Sequence, residues 1–114
     1  MAFRISITAD AETQLRALPV RDQRNLEAAI LIRLQDQPTT PTRAIKRLRP
    51  NPLAEFELRV GALRVLYNVE ESEVVLLVVG RKVGNKLIVA DEEFHGHQDH
   101  PVEPPASGPG RNPE

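Results

Sequence analysis

Residues 56–69 read FELRVGALRVLYNV, and this run constrains the fold more tightly than any other in the chain. Phe56, Leu58 and Val60 recur at every second position before a glycine, and Leu63, Val65, Tyr67 and Val69 do so after it. Period two marks a strand with one buried face, and two such runs separated by Gly61 and Ala62 predict a β-hairpin. A glycine opening a two-residue loop suits a type II′ turn, in which its φ is positive. The register follows: Val60 faces Leu63, and Arg59 faces Arg64, with Tyr67 on the buried side by the same parity. Like charges directly opposite one another destabilise an antiparallel pair, so something must offset the repulsion. One offset is local: Glu57 lies diagonally across from Arg64 with Glu55 a step further, a salt-bridge lattice of small net worth. The other is an anion, phosphate foremost, because paired guanidinium forks match phosphate oxygens.

The rest of the chain supplies the layers that such a hairpin needs. Phe3, Ile5 and Ile7 alternate with polar residues as a short opening strand. Thr8 or Asp10 caps a first helix carrying Leu15 and Leu18 up to Pro19, and Leu26, Ile30 and Leu34 mark a second from about Val20 to Asp36. From Arg43 onward the period becomes two, over Arg43 to Leu48, Ala54 to Val60, Leu63 to Val69 and Glu73 to Val79. The last contains VVLLVV, continuously apolar, as expected of an interior strand covered on both faces. After Gly80, RKVGNKLIV reads as a basic turn bearing Arg81, Lys82 and Lys86, followed by a short terminal strand or helical turn near Leu87 to Val89. The layout is α+β: an N-terminal strand and helical hairpin packed on a mostly antiparallel four- to five-stranded sheet.

With 114 residues the chain has room for one core. It contains no cysteine, which removes disulfides, thiolate chemistry and the common zinc sites, and makes a cytoplasmic setting the expectation. No apolar stretch approaches the ~18 residues of a membrane span, and MAFRISITADAE lacks the apolar core of a signal peptide. Charge is divided unevenly: residues 1–90 hold 14 of the 15 Lys and Arg and 10 of the 16 Asp and Glu, a net +4, while residues 91–114 carry −5. A basic body points to an anionic partner. Residues 1–94 read as one folded domain. Residues 95–114 hold five of the ten prolines and almost nothing apolar, and are expected to be a disordered, Pro-rich acidic tail. His95, His97 and His100 stand in that tail without a rigid further ligand, so neither a metal nor another cofactor is expected.

Three basic groups converge on this reading: Arg43, Lys46, Arg47 and Arg49 in and after the first sheet strand, Arg59 and Arg64 at the hairpin, and Arg81, Lys82 and Lys86 after the last long strand. An antiparallel sheet can set such positions side by side. Cleavage of RNA would need positive charge at the pentacoordinate phosphate and groups that move protons. Arginine supplies the charge, whereas residues 1–94 contain no histidine, which leaves Glu57 or a lysine to move protons.

The segments IKRLRP, ELRVGALRVLYNV and VVLLVVGRKVGN, behind a strand and a helical hairpin, resemble the RelE/ParE superfamily of type II toxin-antitoxin toxins. The resemblance spans about Ile5 to Val89 and is most specific at Arg59, Gly61, Arg64 and Tyr67. It implies a small toxin silenced by a cognate antitoxin protein that wraps it and covers the basic surface. RelE-like members cut mRNA on the ribosome and so inhibit translation; ParE-like members act on DNA gyrase without cutting RNA, and non-toxic members of the fold are a further alternative. Carried over by position, Arg59, Arg64, Arg81 and Lys82 would be catalytic, with Lys46, Arg47, Arg49 and Lys86 contacting RNA phosphate. One departure stands out. RelE-like nucleases usually carry a tyrosine or histidine just past the basic turn, where this chain has Lys86, Leu87, Ile88 and Val89.

Overall fold

A computed structural model describes residues 2–90 and the backbone strand at 92–93. The expectations for the tail, residues 95–114, lie outside the described residues. A first strand, β1 (Arg4–Ile7), leads into α1 (Ala9–Arg16) and α2 (Val20–Leu34), and six further strands follow: β2 (Ile45–Arg47), β3 (Phe56–Val60), β4 (Leu63–Glu70), β5 (Glu73–Val83), β6 (Lys86–Val89) and β7 (Glu92–Glu93). The fold is α+β, as expected; the terminal strand anticipated near Leu87 to Val89 is β6, and β7 is a further short addition at that edge.

Local chemistry accounts for the helices. Thr8 caps α1, its hydroxyl accepting from the Ala11 N–H at 3.1 Å, and Asp10 and Glu12 stand in the first turn where the helix dipole favours them. Pro19, which has no N–H to continue a helix, separates the two. Leu26, Ile30 and Leu34, four apart, form the buried stripe of α2. That stripe, with Ala11 and Leu15 of α1, packs on Ile45, Leu58, Leu63, Val65, Tyr67, Val74, Leu76 and Val79 of the sheet. No helix among the described residues is long and apolar enough to cross a membrane.

The sheet runs β2-β3-β4-β5-β6-β7, every neighbouring pair antiparallel, while β1 joins β5 in parallel with Arg4 beside Glu73 and Ile7 beside Leu76. The hairpin register is the expected one, Arg59 opposite Arg64 and Val60 opposite Leu63, with Gly61 at φ +59°. At 11 residues, β5 is longer than the sequence suggested. Arg81 and Lys82, expected in a turn, belong to β5, and the turn comes later at Gly84, φ +59°. The reason is Gly80: a Cβ there would stand 2.6 Å from the Ile88 carbonyl, so only glycine lets β6 close against β5 and prolong the ladder.

A second, smaller core lies on the face away from the helices, where Ala54, Leu66, Val78 and Val89 are buried with Leu48, Leu53, Leu77 and Leu87 around them. The loop between β2 and β3 closes over it and is ordered by one side chain. Asn51 donates from Nδ2 to the carbonyls of Arg49 (2.7 Å) and Ala54 (3.0 Å), and its Oδ1 accepts from Leu53 N–H (2.8 Å) and Ala54 N–H (3.0 Å). That uses the full donor and acceptor capacity of the amide. The interior strand is thus covered on both faces, as its apolar run required.

Candidate functional site

Two features of the sheet decide which basic side chains share a face. The first is strand parity. Leu58 and Val65 belong to the helix-side core, so Glu57, Arg59 and Arg64 stand on the opposite side, as does Lys46, the partner of Glu57 across β2 and β3. The second is an irregularity in the pairing of β4 with β5. Leu66 pairs with Val78 but Tyr67 pairs with Leu76, so Leu77 is an extra residue in β5. Such a bulge reverses the parity of everything after it. Val74 and Leu76 face the helices before the bulge and Val79 does so after it, while Val78 joins the second core. Past the bulge Gly80 pairs with Arg64, and Lys82 pairs with Leu87, whose side chain packs on that second core.

The helix-free face therefore gathers Lys46, Arg59, Arg64 and Lys82 around the carboxylate of Glu57. Other expected site residues stand elsewhere. Arg81 turns to the helices and binds Asp22 of α2, Nη2 to Oδ2 at 2.6 Å. Arg47 lies over the Phe56 ring, its Cζ 5.0 Å from the centroid, and Phe56 is part of the helix-side core. Arg49 is exposed in the loop after β2, and Lys86 is exposed at the start of β6, opposite Val83. The expected meeting of three basic groups is thus realised by Lys46 of the first, both arginines of the hairpin and Lys82 of the third, and the bulge makes Lys82 rather than Arg81 the member from β5.

The arginines answer their mutual repulsion differently. Arg64 is largely withdrawn from solvent, and its Nη1 donates to the carbonyls of Gly61 (2.7 Å) and Leu63 (2.8 Å), tying down the hairpin turn. Arg59 is exposed, and its Nε donates to Glu57 Oε1 at 3.1 Å. Glu57 Oε2 stands 4.0 Å from Arg64 Nε, a buried nitrogen without a hydrogen-bond partner among the described residues. A single carboxylate divided between two guanidinium groups realises the local offset in part and leaves the face with an excess of positive charge. Its described residues include neither histidine nor tyrosine. Tyr67 is buried on the helix side, stacked on Phe56 with centroids 5.5 Å apart, and its hydroxyl donates to the Pro38 carbonyl at 2.5 Å. Burial pushes its phenol well above the usual tyrosine range.

Sequence reasoning overlooked Gln14, whose Oε1 accepts from the Val79 N–H at 2.8 Å and so holds β5 just past the bulge. Nothing in a lone glutamine on a helix signals such a contact.

No protein-family profile matches the chain, and no curated protein matches it. Solved structures do. The toxin-antitoxin complex RelBE2 from Mycobacterium tuberculosis contains a chain 26% identical to this one, with a TM-score of 0.60, and the match covers 72% of this chain and 100% of that one. The chain has the fold of the RelE toxins. The archaeal RelE-RelB complex from Pyrococcus horikoshii, 17% identical with a TM-score of 0.52 over 72% of this chain and 97% of that one, shares the fold. In this RelE-like fold the strand, helical hairpin and sheet therefore stand in the order that the quoted segments implied.

Proposed function

We propose that the chain is the toxin of a toxin-antitoxin pair and that its helix-free face binds the phosphate backbone of mRNA on the ribosome, inhibiting translation. One observation carries the reading: strand register and the β5 bulge bring Lys46, Arg59, Arg64 and Lys82 from four successive strands onto one face around Glu57. Excess positive charge on a surface is what phosphate recognition requires, and arginine meets it bidentately. The two solved neighbours, both toxins held with an antitoxin, support an antitoxin partner for this chain. Such a partner would silence the toxin by covering the face.

The same cations suit the charge that develops on a pentacoordinate phosphate, so the endoribonuclease reading places Arg59 and Lys82 at the transition state. For proton transfer the described face offers Glu57, Lys46 and Lys82. Arg64, engaged with the turn, serves by charge and by holding the hairpin.

The test is induced expression of the wild type and of an Arg59→Ala/Lys82→Ala variant, following growth and transcript integrity together. Growth arrest with cut transcripts in the wild type alone is the expected result, relieved by co-expression of the neighbouring antitoxin. Arrest with intact transcripts would transfer the face to a protein target such as DNA gyrase, and unimpaired growth would leave a non-toxic member of the fold.

A further inference from the structure

We infer that Glu57 is a positioning residue: its carboxylate holds Arg59 by the Nε edge and so presents the terminal Nη pair of that guanidinium to phosphate. The inference rests on the phosphate-binding reading above and assigns the carboxylate between its arginines a role. A carboxylate beside a phosphate site looks out of place, since it repels the ligand.

The geometry resolves the difficulty. Glu57 and Arg59 are two apart on β3 and share a face. The Glu57 side chain is 12% exposed and that of Arg59 40%, so the anion lies beneath the cation rather than beside the incoming ligand. Arg64, at 14%, is equally sunk and is fixed by the Gly61 and Leu63 carbonyls. Arg59 is therefore the adjustable member of the pair, directly opposite a fixed like charge that would otherwise push it away. Its Nε is bound to Glu57 Oε1, while Nη1 and Nη2 have no hydrogen-bond partner among the described residues. A guanidinium held by Nε keeps a terminal edge with two parallel donors, the edge a phosphate accepts bidentately.

Positioning and simple charge competition predict opposite signs. In Glu57→Gln the amide oxygen still accepts from Arg59 Nε but the negative charge is gone; in Glu57→Ala both are lost. The measurement is fluorescence anisotropy of a labelled single-stranded RNA oligonucleotide of mixed sequence with the purified full chain, at several salt concentrations, alongside thermal unfolding of each variant. Positioning predicts that Glu57→Gln binds at least as tightly as wild type. Glu57→Ala, although it gains net positive charge, should bind about two- to twelvefold more weakly, the cost of ordering one long side chain on binding. Equal tightening in both variants would make Glu57 a competing charge and overturn the inference. Arg59→Ala, carried in parallel, tests the ground beneath it. Unchanged affinity in that variant refutes phosphate binding by this face, whereas weakened Arg59→Ala with equal tightening at Glu57 refutes only the positioning.

Discussion

The phenol of Tyr67 joins the loop after α2 to the middle of the sheet through a single hydrogen bond, to the carbonyl of the buried Pro38. Tyr67→Phe keeps the stack on Phe56 and leaves that carbonyl without its donor, so it should destabilise the fold by about 1–2 kcal/mol in chemical denaturation, with RNA affinity unchanged. Burial also keeps the phenol protonated in the folded state to a higher pH than in the unfolded chain. The unfolded state then binds fewer protons above the ordinary tyrosine pKa of about 10, so stability present below that pH falls as pH rises through it. With one tyrosine and no tryptophan in the chain, phenolate absorbance reports this directly: its appearance on alkaline titration should coincide with unfolding, and Tyr67→Phe should remove that part of the alkaline loss. Arg81 and Lys82 offer a second contrast between neighbours. Lys82→Ala should weaken RNA binding severalfold with little change in stability, whereas Arg81→Ala, which breaks the ion pair with Asp22, should act mainly on stability. The reverse pattern would mean that the bulge does not set the face. The roles of Arg59, Arg64 and Tyr67 by side of the sheet were legible in the alternation around Gly61, because a glycine at positive φ fixes a two-residue turn and the turn fixes the register. That Arg64 is spent on the turn carbonyls was not legible, since backbone acceptors leave no mark in a side-chain pattern.

Among the elements, β5 separates what alternation reveals from what it hides. In VVLLVV every residue is apolar, so no parity can be read, and an extra residue at Leu77 passes without trace. The consequence reaches the site, because parity after the bulge selects Lys82 and turns Arg81 inward. The end of β5 was hidden for a related reason. Gly80 reads as a turn residue but acts as a gap into which β6 fits, a function that depends on a strand not yet placed. The turn between β4 and β5 carries a prediction of its own. Glu71 adopts φ +57°, in the left-handed region where a Cβ costs about 1–2 kcal/mol, and it stands beside the paired Glu70 and Glu73. Glu71→Gly relieves both strain and like-charge crowding at some entropic cost. The net stabilisation should be about 1 kcal/mol, seen as a rise of roughly 4–8 °C in melting temperature. An unchanged or lower melting temperature would show that the turn carries no recoverable strain.

At the scale of the whole molecule the charge division has a measurable outcome. If Lys46, Arg59 and Lys82 each neutralise a phosphate, the logarithm of the affinity for single-stranded RNA should fall with the logarithm of salt at a slope of about −2, and Arg59→Ala should reduce its magnitude by about 0.7. A flat salt dependence would rule out a backbone-reading surface. The parallel pairing of β1 with β5 bears on a different matter, that of time. Residues 4–7 are synthesised well before their partners, residues 73–76, which lie late in the described fold. β1 thus waits, unpaired, while the intervening helices and hairpins emerge from the ribosome. Its closing contact spans most of the described fold in sequence, the kind that slows folding. The sheet is united only once β5 has been made, so a ribosome stalled before β5 would release a fragment with the helices and the arginine hairpin but not the strand that unites them.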